Sequence, residues 1–464
     1  MSFQRKQEKE SGKAEANTMN PFVIFKKIKQ NTGGNTIKIL SNVAWAMSGK
    51  IVNMAGALLV GILVARYLGP EQYGLMNYVI SYVSIFSVLS TFGLDNIEIR
   101  ELSRKPENKN IILGTCLRIR IICSTMAFLV ILVTLMIFEA DRFTALMIIC
   151  YSLTLYSNCF NLVRNYFTSI VKNEYVVKSE IARTIIGASI KIVLLLIKAP
   201  LEYFIIATLF DSFLVASGYC LSYKKTVGNI SLWKYDKSIV PYFLKQSFPL
   251  VLSGAAVIIY QKIDQVMIGN MIDNESVGYF ATAGKFLDLT LFLPTVLTQT
   301  ITPLLVKVRE TGTKEEYENK KKAFVSITVW ISILLALFTS VFSYWLIYLT
   351  FGEKYSLAVP ILQILAWKTI GMALSSSAGQ IIIMEGLQKW AFIRNMLGCV
   401  ICIGLNYILI PKYGTIGAAY VTIITLIFSG CLANILIPPY YNVFKIQLYS
   451  IAFGWRYLFR LNFK

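Results

Sequence analysis

The sequence contains no histidine and few charged side chains. Asp, Glu, Lys and Arg make up 15% of its 464 residues, whereas a soluble protein carries about 25%. Without histidine, the chain lacks the commonest protein metal ligand and the side chain that titrates near neutral pH. We therefore expect no metal site and no cofactor. A proton-coupled step would need a carboxylate with a raised pKa, such as Asp211, Asp264 or Asp288.

Cysteine chemistry also finds little support in the sequence. The eight cysteines lie in or beside apolar segments, and none falls in a segment predicted to face outward, so we expect no disulfides. Cys399 and Cys402 have CxxC spacing, but neither a second pair nor a histidine accompanies them. A metal or redox role and a role as small helix-packing residues are both open for this pair, and the lack of further ligands favours packing.

Long apolar segments occur along the whole chain. Hydrophobic residues make up 56% of the sequence, and its mean hydropathy is +0.60. The apolar runs reach the roughly 20 residues that cross a bilayer. The sequence therefore predicts an all-α polytopic membrane protein with about 12 transmembrane helices. The predicted spans are 43–64, 75–94, 119–138, 143–163, 180–197, 201–222, 244–268, 277–301, 323–350, 356–384, 390–410 and 416–437.

The formal net charge of +20 is unevenly distributed. Of the 45 lysines and arginines, 35 lie in or beside the N-terminal tail, alternate loops and the C-terminal tail. Only 5 lie in the remaining loops. This bias follows the positive-inside rule, predicts that both termini lie in the cytoplasm and supports an even number of spans. A nucleic-acid-binding protein would instead gather its basic residues on one soluble face, so we expect no nucleic-acid partner.

The longest interruption between spans divides them into six and six. We expect two parallel six-helix lobes around a central cavity. The predicted domains are a cytoplasmic tail (1–42), an N-lobe (43–222), a cytoplasmic linker (223–243), a C-lobe (244–437) and a basic amphipathic tail (438–464). The predicted outward loops are only four to ten residues long, which argues against a membrane enzyme with an outward-facing catalytic site.

The two halves resemble each other. "ARYLGPEQYGLMNYV" (65–79) aligns with "GNMIDNESVGYFATA" (269–283) at an offset of 204. Each segment follows an apolar span, makes a short outward turn with an acidic residue, and places Gly74 or Gly278 at the start of the next helix. Because both members run in the same direction across the membrane, they indicate a parallel repeat related by an axis along the membrane normal.

Eight of the ionisable residues inside the predicted spans are candidates for a functional role. An ionisable group at bilayer depth costs at least a few kcal/mol, so it normally faces protein or a watery cavity. Lysines outnumber aspartates in this set, which favours a cavity for an anion over a path for cations. The residues are Lys50, Lys191, Asp211, Lys262, Asp264, Lys285, Asp288 and Lys368.

Lys262 and Lys285 are the main candidates for binding an anion. They lie on adjacent antiparallel spans at similar depth, about 12 Å from the outer turn. Asp264 lies about 200° round the helix from Lys262 and is not its same-face partner. Other interpretations remain open, because Lys285 and Asp288 can form a structural i,i+3 pair.

Snorkelling to the headgroups is a second interpretation for three lysines. Lys50 lies near the inner end of its span, and Lys191 and Lys368 have no acidic partner nearby in the sequence. We therefore take Lys50, Lys262, Asp264, Lys285 and Asp288 as the candidate cavity residues. Asp211, Lys191 and Lys368 are second-rank or coupling candidates.

Four motifs are distinctive. The first half contains "VARYLGPEQYG" and "FGLDNIEIRE", with Arg66 and Arg100 as further second-rank residues. The second half contains "IDQVMIGNMIDNESVGYFATAGKFLD" and "LNYILIPKYGTIGAAYVTIIT". In these motifs the chain resembles the bacterial polysaccharide-synthesis flippases of the multidrug/oligosaccharidyl-lipid/polysaccharide exporter superfamily, which implies a place in the bacterial inner membrane.

The resemblance implies a transporter and not an enzyme. The implied activity is movement of an undecaprenyl-diphosphate-linked oligosaccharide to the outer leaflet by alternating access, for surface polysaccharide such as capsule or lipopolysaccharide. Its implied partners are that lipid, the bilayer and the polysaccharide polymerase machinery. The alternative is a cation-coupled multidrug or amphiphile exporter of the same superfamily, for which buried acids in the first helices would be expected and Lys50 is found instead.

Overall fold

The computed structural model describes residues 34–138 and 141–458. Most of the predicted N-terminal tail and the last six residues of the predicted C-terminal tail lie outside the described residues. Within the described part the chain is helical apart from turns and short connections. The prediction of an all-α membrane protein is confirmed.

The first half begins with the long element Gly34–Thr91, which is interrupted at Gly69 (φ 76°). Only a residue without a Cβ adopts this conformation readily, and Pro70 follows, so the chain turns here and a second helix starts. The helices of this half are α1 (34–68), α2 (70–91), α3 (Asp95–Arg104), α4 (Lys109–Phe138), α5 (Arg142–Ser152), α6 (Asn161–Ser169), α7 (Asn173–Leu196) and α8 (Leu201–Thr226).

The second half repeats the pattern. Its last long element, Ala391–Ile427, turns at Gly414 (φ 60°) as the first long element turns at Gly69. The helices are α9 (Val240–Met271), α10 (Asn274–Thr311), α11 (Lys314–Val341), α12 (Ser343–Thr350), α13 (Ala358–Leu365), α14 (Lys368–Met384), α15 (391–413), α16 (415–427), α17 (Tyr441–Phe453) and α18 (Trp455–Leu458).

Nine helical stretches in the described part of the chain are long and apolar enough to cross a membrane. Two of them, Gly49–Arg104 and Gln388–Leu436, each contain two predicted spans, joined at Gly69 and at Gly414. Helix α7 carries too many charges to meet the same criterion but lies at the predicted fifth span. These segments together account for the twelve predicted spans.

The buried apolar core differs between the two ends of the molecule. At the predicted outer end, one cluster contains side chains from both halves, including Tyr73 and Val79 of α2 and Ala283 of α10. At the inner end each half has its own cluster, one around Leu113 and Phe167 and the other in the second half. The two lobes are therefore joined at the outer end and have separate cores at the inner end.

The outer junction is a reciprocal contact between the two aligned turns. A Cβ on Gly74 would lie 1.7 Å from the carbonyl oxygen of Asn274, and a Cβ on Gly278 would lie 2.0 Å from that of Pro70. Both pairs keep the offset of 204, because Pro70 corresponds to Asn274 and Gly74 to Gly278. Helix α2 then runs beside α9, where the hydroxyl of Tyr78 donates to the Asn270 side chain at 2.7 Å.

The predicted linker and C-terminal tail are not free segments. The Lys234 amide donates to the carbonyl of Asn110 at 3.0 Å, which docks the linker onto α4. Phe243, the last residue of the predicted linker, is buried in the inner cluster of the first half. In the tail, Gln447 is fully buried, and its side chain donates to the carbonyls of Leu374 and Gly430, so α17 packs onto the second lobe.

Candidate functional site

The candidate cavity residues of α9 and α10 form a positively charged group. Lys262 interacts electrostatically with Asp288, Lys285 and Lys368. None of these four forms an ion pair within 4 Å with any residue that the structure describes. The i,i+3 spacing of Lys285 and Asp288 does not produce a salt bridge here. Two further ammonium groups and one carboxylate thus interact with the ammonium group of Lys262.

Lys50 approaches this group from the other lobe. Its ammonium nitrogen lies 5.5 Å from the centre of the Phe292 ring, one turn beyond Asp288 on α10. The contact joins α1 to α10 across the lobe boundary and is of the cation–π kind. At the position that the repeat equates with Lys50, α9 has Gly254, which lies beside Val88. The two lobes therefore contribute different charges at equivalent positions.

Asp264, on the same helix as Lys262, is buried inside the second lobe. Its side chain is 2% exposed. Its carboxylate accepts hydrogen bonds from the Asn406 amide and the Thr422 hydroxyl, each at 2.6 Å, and contacts the Cys402 sulfur at 3.5 Å. It has an electrostatic interaction with Lys368 but no salt bridge within the described part of the chain. The carboxylate is thus buried among uncharged hydrogen-bond donors.

A cavity of about 170 Å³ lies mainly within the first lobe. It is lined by α1, α2, α7 and α8, and Lys285 reaches it from α10 of the second lobe. Its charged lining residues are Arg183, Lys191, Asp211 and Lys285. The cavity thus connects residues from both sides of the lobe boundary.

Lys191 and Asp211 form an ion pair in this cavity. The ammonium nitrogen of Lys191 lies 2.5 Å from a carboxylate oxygen of Asp211, and both side chains are mostly buried. Helix α7 comes close to Asp211 because residue 187 is glycine, whose Cβ would lie 2.0 Å from the other carboxylate oxygen. The sequence did not reveal this pair, because the two residues lie far apart in the sequence, on neighbouring helices connected by a tight turn.

Arg183 is a cavity residue that sequence reasoning missed. Its guanidinium makes long contacts of 3.4 Å to the Asn53 side chain and 3.5 Å to the Thr184 hydroxyl. The sequence signal that could have identified Arg183 was its helical spacing from Lys191. Positions 180, 183, 184, 187 and 191 share one face of α7. At the inner edge of a predicted span, however, an arginine is explained by the positive-inside rule.

The two second-rank arginines, Arg66 and Arg100, form contacts near opposite ends of the molecule. Arg66 donates to the carbonyl of Leu349 at 2.6 Å, and the Tyr355 hydroxyl donates to the neighbouring carbonyl of Ala65 at 2.7 Å. Arg100 pairs with Glu101, which accepts a 2.8 Å hydrogen bond from the Tyr242 hydroxyl of α9. Both arginines lie in the sequence motifs of the first half and contact the second half of the chain.

A family profile described as "Polysaccharide biosynthesis protein" matches residues 39–309, more than half of the chain. The chain belongs to this family. A second profile, MatE, matches residues 249–408. The capsular polysaccharide biosynthesis protein CapF of Staphylococcus aureus is 25% identical over 252 residues, which are 53% of this chain and 59% of CapF. The chain therefore spans about three fifths of the length of that curated relative.

Solved structures with the same fold include transporters of two kinds. The lipid II flippase MurJ in an inward closed conformation aligns with a TM-score of 0.68 at 18% identity, covering 91% of this chain and 93% of that one. An inward-facing multidrug resistance MATE family transporter aligns with a TM-score of 0.63 at 16% identity, covering 86% and 96%. These alignments show that the chain has the twelve-helix, two-lobe fold.

Proposed function

We propose that this protein moves an undecaprenyl-diphosphate-linked oligosaccharide from the cytoplasmic to the outer leaflet of a bacterial inner membrane, with both termini in the cytoplasm. The observation that supports the proposal is the excess of ammonium groups over carboxylates near Lys262. Lys262 interacts electrostatically with Lys285, Lys368 and Asp288, none of which forms an ion pair in the described chain, and Lys50 of α1 contacts the Phe292 ring one turn beyond Asp288. These groups would replace the hydration of a diphosphate or of acidic sugars.

The distribution of the core supports alternating access. The outer cluster shared by both lobes would separate while the two inner clusters approach each other. A diphosphate held by lysines would then pass from one side to the other with its polyprenyl chain in lipid. An inside-negative potential favours outward movement of an anion by about 2.3 kcal/mol per charge per 100 mV. The flipped lipid would be handed to a polysaccharide polymerase.

Replacement of Lys262 tests this proposal. Lys262→Ala and Lys262→Asp should lower surface-polymer production in a complementation assay, with the larger loss for Asp because it reverses the charge. Lys389→Ala is the matched control, since Lys389 is exposed beside Trp390 and away from the cavity. Full polymer production by both Lys262 variants at normal protein levels would contradict the assignment.

A cation-coupled exporter of drugs or other amphiphiles is the second candidate. The match of residues 249–408 to the MatE profile and the buried carboxylate of Asp264 favour it. Transport of a cationic drug that is lost in Asp264→Asn but retained in Lys262→Ala would select this function. The opposite pattern, with polymer production lost in Lys262→Ala and no drug transport by either protein, would select the flippase.

A further inference from the structure

We infer that Arg183 binds a phosphate group of the transported lipid, together with Lys285 from the other lobe. The inference rests on the proposed function and adds the residue of the first lobe that recognises the head of the cargo. Nothing in the family match or the related structures assigns a role to this arginine. Its surroundings carry the argument.

Among the described residues, no acidic side chain forms an ion pair with the guanidinium of Arg183. Its Nε atom is buried and has no hydrogen-bond partner in the same part of the chain. A buried N–H donor without a hydrogen-bond partner costs free energy, so the Nε–H group of Arg183 is available to an anion that is not part of the protein.

The acidic residue one turn before Arg183 is already hydrogen-bonded to other side chains. Glu180, one turn before Arg183, accepts hydrogen bonds from the Asn53 amide at 3.1 Å and the Tyr219 hydroxyl at 2.9 Å. The Asn53 carbonyl oxygen in turn accepts from the Thr184 hydroxyl and from Arg183. Asn53 thus lies between the two charged groups and orients the arginine without neutralising it.

The charge balance of the cavity matches a lipid diphosphate. Three cations and one carboxylate line it, and the carboxylate of Asp211 is paired with Lys191. Arg183 and Lys285 remain as two positive charges, and a diphosphate esterified at both ends carries one negative charge on each phosphate. Arginine binds phosphate through two parallel N–H donors. Because Arg183 is on α7 and Lys285 on α10, one bound diphosphate would contact both lobes.

Binding of defined lipids to the purified protein tests the inference. Native mass spectrometry would compare undecaprenyl diphosphate, undecaprenol and phosphatidylglycerol on the wild type, Arg183→Gln and Arg118→Gln. Arg118 is the matched control, because it has the same charge but is exposed and stacks on Tyr235 away from the cavity. We expect Arg183→Gln to weaken undecaprenyl diphosphate binding about 10- to 100-fold, as for loss of a charged hydrogen-bonded pair. Undecaprenol binding and the Arg118→Gln variant should be unchanged.

The outcomes separate this inference from the proposed function. If the wild type prefers the diphosphate over undecaprenol and Arg183→Gln keeps that preference, the inference is wrong and the flippase proposal stands. If the wild type has no such preference, both fail. If phosphatidylglycerol binds as tightly and is weakened equally, the site accepts any phospholipid headgroup and the inference is wrong. Arg183→Lys keeps the charge but loses the paired donors, so we expect a smaller loss of undecaprenyl diphosphate binding than in Arg183→Gln. This second variant also tests the inference if Arg183→Gln folds poorly.

Discussion

The closed outer junction depends on Gly74. In Gly74→Ala the new Cβ would lie 1.7 Å from the Asn274 carbonyl oxygen and 2.7 Å from the Gly278 amide nitrogen. Ordinary contact begins at 3.4 Å, and the opposing atoms belong to the backbone, so no side-chain rotation relieves the overlap. The two turns must move apart. Overpacking of this kind costs about 1–3 kcal/mol, which corresponds to a shift of about 5- to 150-fold toward the separated state.

The separation can be measured with a thiol reporter on α2. Ser81 is 1% exposed and donates to the Gln265 side chain of α9 at 2.5 Å. In a background in which the eight native cysteines are replaced by alanine, Ser81→Cys should react slowly with a maleimide. Gly74→Ala should accelerate that reaction, and Gly278→Ala should do the same because it meets the Pro70 carbonyl.

A matched glycine on α15 provides the control. Gly404→Ala places a Cβ where no atom lies within 4 Å, so it should leave the labelling rate unchanged. Labelling at the wild-type rate in both Gly74→Ala and Gly278→Ala, with unchanged thermal stability, would refute the contact between the turns.

Two further predictions concern the first lobe. The Nε atom of Arg120 lies 2.8 Å from a carboxylate oxygen of Glu98, and both side chains are fully buried. Because Arg120→Met leaves this carboxylate unpaired, it should lower the free energy of unfolding by about 3–5 kcal/mol. A thermal-unfolding midpoint equal to that of Arg118→Gln would contradict this. Gly187→Ala displaces Asp211 from its position beside α7 and should weaken undecaprenyl diphosphate binding several-fold without changing any charge; unaltered affinity in the same titration would show that the placement of the ion pair is unimportant.

Hydropathy and charge bias were sufficient to predict the helices and the lobes. The turns at Gly69 and Gly414 end apolar runs, so the sequence locates them directly. The offset that aligned Gly74 with Gly278 also describes their contact in the structure. Helical periodicity predicted that Asp264 and Lys262 lie on different faces of their helix, although both were taken as candidate cavity residues.

The direction of the charged side chains was harder to predict. An ion pair such as Lys191–Asp211 depends on how two helices are rotated about their axes, and a uniformly apolar span gives no signal for that rotation. Arg120 and Arg183 both lie near predicted inner span ends, where the positive-inside rule explains their charge. That rule describes topology and carries no information about burial, so the bidentate Arg120–Glu98 pair and the unpaired guanidinium of Arg183 required coordinates.

The reciprocal glycine contact has a consequence for the origin of the molecule. Each turn supplies both a glycine and the backbone that opposes the other glycine. A six-helix ancestor with a single such turn would therefore recognise a second copy of itself, in parallel orientation, through the same surface. Gene fusion would have tethered an existing homodimer, and only afterwards could one copy keep Gly254 while the other acquired Lys50.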